Sequence, residues 1–125
     1  MIALFLLLTL LLIPLTKIPV AIAMQQAGGY DNKTPREQQA HLEGWGQRAL
    51  AAHQNAFEAL PVFGLALLGA VQLEVSPDTI YLLGILFFVS RLVYQVCYLA
   101  DWATLRSLSW GVGYLACLGL VVVGF

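Results

Sequence analysis

Four apolar runs, each about as long as a bilayer is thick, constrain this 125-residue chain more than any other feature. A helix rises 1.5 Å per residue, so about 20 apolar residues cross a hydrocarbon core of roughly 30 Å. Met1 to Met24 is such a run, interrupted by one charge, Lys17. The others end near Leu73, run from Thr79 to about Ala100, and run from Leu105 to Phe125. Lipid offers the backbone no hydrogen-bond partners, so such segments must be helical. The predicted fold is therefore an all-α integral membrane protein, a single four-transmembrane-helix bundle. Its helices lie at about 1–24, 35–73 with an extramembrane start, 77–100 and 105–125. No Lys or Arg precedes the first run, and it is long for a signal peptide despite the cleavage-like Ala21-Ile22-Ala23, so it reads as a retained helix.

Composition supports this. Hydrophobic residues make up 60% and charged residues 10%, against the usual quarter charged in soluble domains. A formal net charge of -1 with scattered cations supplies no field for nucleic acid. No metal is expected: Cys97 and Cys117 sit in apolar runs without CxxC spacing, and His41 and His53 lack a clustered third ligand.

The connections carry local signals. Thr34-Pro35-Arg36-Glu37 has the pattern of a capping box, predicting a helix that starts outside the bilayer and runs on toward Arg48, with Gly44 and Gly46 as possible interruptions. Glu74 to Asp78 should reverse the chain, with Ser76 capping the third helix and Pro77 in its first turn. Lys17, Lys33, Arg36, Arg48 and Arg106 all flank the first and third connections. The positive-inside rule then places both termini on the non-cytoplasmic side.

Function is expected where polar residues enter the apolar runs. In the stretch RALAAHQNAFEALPVF, Arg48, Asn55 and Glu58 fall on one helical face and His53 points away, as a helix-packing residue would. Lys17 can snorkel toward the interface. In the third run Arg91, Tyr94 and Tyr98 form a polar stripe at spacings of three and four. Arg91 and Glu58 lie at comparable depths on antiparallel helices, so a direct pair between them is plausible. It reads either as a structural ion pair or as part of a ligand site, the default for ionisable groups inside a membrane. Arg48, Asn55, Tyr98 and Arg106 would lie in the cytoplasmic half, forming a pocket suited to an anionic ligand.

These residues resemble the MAPEG family, the membrane-associated proteins of eicosanoid and glutathione metabolism. The second-helix signature is matched by Ala52-His53-Gln54-Asn55 and Glu58, the third-helix pattern by Arg91, Tyr94 and Tyr98, and the start of the fourth by Arg106-Ser107. The resemblance spans nearly the whole chain. It implies a bacterial-type member of the inner membrane, a homotrimer that binds glutathione between neighbouring subunits near the cytoplasmic side. Lipophilic small-molecule substrates would approach through the membrane lipids. By the same resemblance Arg106 and Ser107 flank the sulfur, Asn55, Glu58, Tyr94 and Tyr98 hold the peptide, and Arg91 braces Glu58; Arg48 would reach only part of the cationic contact to the peptide's carboxylates. The implied activity is a glutathione-dependent transferase or peroxidase.

Departures from the family pattern keep other readings open. Ala51 and Gln54 stand where glutathione-using members carry arginines, and Trp110 stands where a tyrosine is common. A non-catalytic membrane protein that binds lipids or another thiol is the alternative. A small proton-coupled exporter ranks lower, because it requires Glu58 to be unpaired and free to exchange its proton.

Overall fold

The computed structural model describes all residues from Met1 to Phe125 as helices and short connections. The elements are α1 (Ile2–Gln26), α2 (Pro35–Ala40), α3 (Gly44–Gln72), α4 (Pro77–Leu99) and α5 (Ala103–Val122). All but α2 are long and apolar enough to cross a membrane. Helix α3 is the hub: it packs against α1 and against both helices of the α4–α5 hairpin. Pro14 and Pro19 lie inside α1 and Pro61 inside α3 without ending either helix.

The expected continuous helix from residue 35 is divided. Its first turn and a half is α2, and His41–Glu43 separate it from α3. Thr34 makes no side-chain cap. Its hydroxyl instead donates to Asp31 Oδ2 at 2.8 Å, while Asp31 Oδ1 accepts from the amides of Lys33 and Thr34. An ionised carboxylate is a strong acceptor, so Asp31 organises the turn and orients the Thr34 side chain toward itself. The Thr34 hydroxyl first, and the two amides next, hold the Asp31 carboxyl below its ordinary range. The chain re-enters at Gly44, whose φ of 56° is a conformation that favours glycine. By contrast, the expected start of α4 is present: Ser76 Oγ accepts from the Thr79 amide at 3.3 Å, and Pro77 occupies the first turn.

The core sits at the end of the bundle away from α2. Phe5, Phe63, Phe87 and Phe88 are buried there, with Phe63 stacked on Phe87 at 4.2 Å and Phe5 on Phe88 at 6.0 Å. Between helices in lipid, cohesion comes mainly from such close packing and from hydrogen bonds. Gly84 lets the Phe5 ring lie directly on α4, and Gly113 lets the Ser90 hydroxyl approach α5. Further along α1, Thr16 Oγ1 and His53 Nδ1 are 2.8 Å apart, joining α1 to α3. His53 is thus a buried packing residue, facing away from Asn55 and Glu58 as its position on the helix implies.

Candidate functional site

Helix α4 presents Arg91, Tyr94 and Tyr98 toward the faces of α3 and α5 that carry Asn55, Glu58 and Arg106. The contacts form a continuous track. Asn55 Nδ2 donates to Glu58 Oε2 at 2.8 Å, and Arg91 Nη2 donates to Asn55 Oδ1 at 2.6 Å. The Arg91 guanidinium lies 4.1 Å from the centre of the Tyr94 ring. Tyr94 meets Tyr98 edge-on at 5.5 Å, and the Arg106 guanidinium lies 4.5 Å from the Tyr98 ring centre. The track therefore descends from the α4–α5 connection to Glu58, the midpoint of the 29-residue α3. Cation–π contacts of this kind strengthen when desolvated, and Arg91 is only 2% exposed.

The direct Arg91–Glu58 pair expected from their depths is replaced by a relay through Asn55. Asn55 lies three residues before Glu58 on the same face, and an amide both donates and accepts. It satisfies the carboxylate with its nitrogen and the guanidinium with its oxygen.

The other two predicted residues stand outside the track. Arg48 Nη2 donates to the Leu99 carbonyl at 3.4 Å, tying the start of α3 to the end of α4, while its buried Nε has no partner. Ser107 is exposed on α5 next to Arg106. Helix α5 also supplies Tyr114 and Cys117, which the sequence did not single out for the site, beside Trp110, which it did. Trp110, Tyr114 and Cys117 recur at spacings of four and three, and they line a small cleft of ≈ 150 Å³ together with Asn55, Glu58 and Arg91. That α5 spacing is the signal that would have found Tyr114 and Cys117. Gln95 was visible as a polar residue in an apolar run; its Nε2 donates to the Ala52 carbonyl at 2.9 Å and clamps α4 to α3.

The cleft is chemically unusual for the middle of a membrane helix bundle. The buried Arg91 Nε has no hydrogen-bond partner, and the Glu58 side chain is exposed at the protein surface. Trp110 and Tyr114 stack at 5.3 Å beside it and are 46% and 44% exposed, forming an aromatic rim. The cleft thus offers one cation, one carboxylate, an amide and a flat apolar wall. Its volume is below the roughly 300–1,000 Å³ usual for ligand pockets. No group of three or more metal-ligating side chains occurs anywhere in the chain.

Comparison with curated proteins returns no match. The family model of the MAPEG family matches residues 1–125, the whole chain. The four helices long and apolar enough to cross a membrane agree with that match, and the protein belongs to the MAPEG family.

Proposed function

We propose that the protein binds glutathione between neighbouring copies of itself, in a homotrimer, and joins the thiol to lipophilic electrophiles or uses it to reduce lipophilic peroxides. The observation that carries this reading is the exposed Glu58 at the midpoint of α3. A charge facing lipid at mid-bilayer costs at least about 2.5–3.5 kcal/mol, so this surface needs a polar cover. A second copy of the chain can supply that cover and enlarge a cleft that is too small in one subunit.

The residues fit a small zwitterionic thiol peptide. Glu58 has a carboxylate for an ammonium group, and the unpartnered Nε of Arg91 and the cationic Arg106 suit carboxylate or thiolate. Glutathione would supply the nucleophilic sulfur. Arg106 would favour the ionised sulfur by its charge, because a nearby cation lowers a thiol pKa. Its position over Tyr98 restrains the guanidinium, and Ser107 adjoins it with an exposed hydroxyl. Asn55 holds Arg91 and Glu58 in fixed register, and the Trp110–Tyr114 wall offers an apolar surface for a substrate arriving from lipid. The clustering of cations near the first and third connections favours a cytoplasmic location for the Arg106 end, in a bacterial inner membrane with both termini outside.

Ala51 and Gln54 leave the site with fewer cations than the family pattern, which favours non-catalytic lipid or thiol binding as the second reading. Conjugation of glutathione to a hydrophobic aryl halide in detergent separates the two. The first reading expects turnover that falls at least about tenfold in Arg106→Ala, in line with loss of roughly 1.4 kcal/mol or more of thiolate stabilisation. Absence of turnover together with retained lipid binding would favour the second.

A further inference from the structure

A second cavity, an apolar groove of ≈ 580 Å³, runs between α4 and α5 on the face of that hairpin turned away from the polar track. Its α4 bank is Val89, Val93 and Val96; Val93 stands two residues from Arg91 and Val96 two from Tyr94, about 200° round the helix. Its α5 bank is Leu105, Leu108 and Val112. These side chains are roughly half exposed, whereas Ser90, Cys97 and Ser109, which line the same groove, are buried and form its floor. The relief comes from residue size. Gly113 lets the Ser90 hydroxyl approach α5, so the two helices close on small residues while branched ones stand out on either side. Ser90 Oγ donates to the Phe87 carbonyl at 2.6 Å and Ser109 Oγ to the Arg106 carbonyl at 2.8 Å, so the floor has no free hydroxyl donor. No charged side chain lines the groove, and it suits a hydrocarbon.

Its extent selects which hydrocarbon. From Trp102 at the α4–α5 connection the groove follows α4 back to Leu86, and Leu86 to Val96 alone is ten residues, about 15 Å. That is half of a hydrocarbon core of roughly 30 Å, so the groove belongs to one leaflet. At its mouth a shallow depression of ≈ 320 Å³, lined by Trp102, Ala103, Thr104 and Leu105, shares Trp102 and Leu105 with it. Trp102 is 54% exposed at a helix end, where an aromatic ring sits at headgroup level. An apolar trench one leaflet long, opening into a hollow beside an interfacial tryptophan and a threonine, has the layout of a single phospholipid. Charge then sets the headgroup. Neither cavity is lined by Lys or Arg; Arg106, the nearest cation in sequence, lies over the Tyr98 ring, and Asp101 is exposed beside Trp102. A net-negative headgroup gains nothing there, whereas an ammonium group suits both an indole face and the Asp101 carboxylate. We infer that the groove seats one acyl chain of a zwitterionic phospholipid, with its headgroup over Trp102 and Thr104. None of these residues belongs to the Glu58–Arg106 track, so the inference does not rest on glutathione binding.

Native mass spectrometry of the full chain tests it, after delipidation in detergent and addition of one equivalent per chain of dioleoylphosphatidylethanolamine or dioleoylphosphatidylglycerol. Wild type should retain one phosphatidylethanolamine per chain, at least about threefold more strongly than phosphatidylglycerol. Ser109→Leu, which raises the floor, should lower retention of either lipid at least about fivefold. Trp102→Ala should remove the preference between the two headgroups. Val122→Trp, on the same face of α5 but toward its other end, should change nothing. A phosphatidylethanolamine carrying a diazirine midway along one chain makes the test independent of any variant's folding: its crosslinks on wild type should fall within residues 86–96 and 105–112. Crosslinks spread over all the exposed helix faces, or retention in Ser109→Leu equal to wild type, would overturn the groove as the seat. An equal loss in Val122→Trp would overturn it in favour of general lipid adhesion. Stronger retention of phosphatidylglycerol, or a headgroup preference that survives Trp102→Ala, would overturn the headgroup assignment.

Discussion

Replacing Asn55 by Ala should destabilise the protein far more than replacing Glu58, although Glu58 carries the charge. Asn55→Ala removes two bonds. The first, from Arg91 Nη2 at 2.6 Å, involves a guanidinium that is 2% exposed and already has an unpartnered Nε. A hydrogen bond to a charged group contributes about 1.5–3 kcal/mol, and a buried cation left without it bears the desolvation penalty. The second, to Glu58 three residues on along the same helix, contributes about 0.2–0.5 kcal/mol. Their sum is about 2–3.5 kcal/mol for Asn55→Ala, against about 0.2–0.5 kcal/mol for Glu58→Ala, which loses only the second. Reversible unfolding in mixed micelles, titrated with a denaturing detergent, measures both. A direct Arg91–Glu58 pair would make Glu58→Ala the costlier change, at about 3–5 kcal/mol, because it would strand the arginine. Equal losses, or a larger loss in Glu58→Ala, would refute the relay.

Three further outcomes follow from the packing and the loop. Gly84→Ala would drive a methyl group into the Phe5 ring, which is held by Phe63 and Phe88, and should cost about 1–3 kcal/mol; Gly64→Ala meets nothing within 4 Å and should be neutral or slightly stabilising in the same unfolding assay. Gln95→Leu should cost about 1 kcal/mol by releasing the Ala52 carbonyl, and a loss under about 0.3 kcal/mol would show that the clamp is idle. The Asp31 carboxyl is held low by its three donors, so its contribution to the loop is fully present above the unfolded value of about 3.9 and is lost as pH falls through the lower folded value. Hydrogen exchange at the Lys33 and Thr34 amides should therefore stay slow at about pH 4.5 and quicken only below the ordinary aspartate range; quickening already at about pH 5 would contradict the assignment.

The fold was legible because the bilayer leaves apolar runs of this length one solution, and because Ser76-Pro77 marks the start of α4 in the sequence itself. The site was legible in part. Arg91, Tyr94 and Tyr98 announce their shared face by spacing, and Asn55 and Glu58 do the same on α3. What spacing does not give is the rotation of one helix against another, and that rotation decides that Asn55 is inserted between Arg91 and Glu58. The same limit concealed the clamp from Gln95 to a backbone carbonyl. The capping-box pattern at Thr34–Glu37 failed for a local reason: a carboxylate three residues earlier turns the Thr34 side chain toward itself, and the four-residue pattern does not include it. Lys17 showed only as a charge within an apolar run; the cleft that it lines with Arg36 and His53 requires α2 to fold back beside α1 and α3.

Calorimetric titration of detergent-purified protein with glutathione tests the central claim most directly, comparing wild type with Asn55→Ala and Arg106→Ala. Saturable binding by wild type, weakened at least about tenfold in each variant, is the predicted result, because one change releases Arg91 and Glu58 and the other removes the cation nearest the track's outer end. No heat of binding at millimolar glutathione, or binding unchanged in both variants, would contradict a glutathione site built on this track.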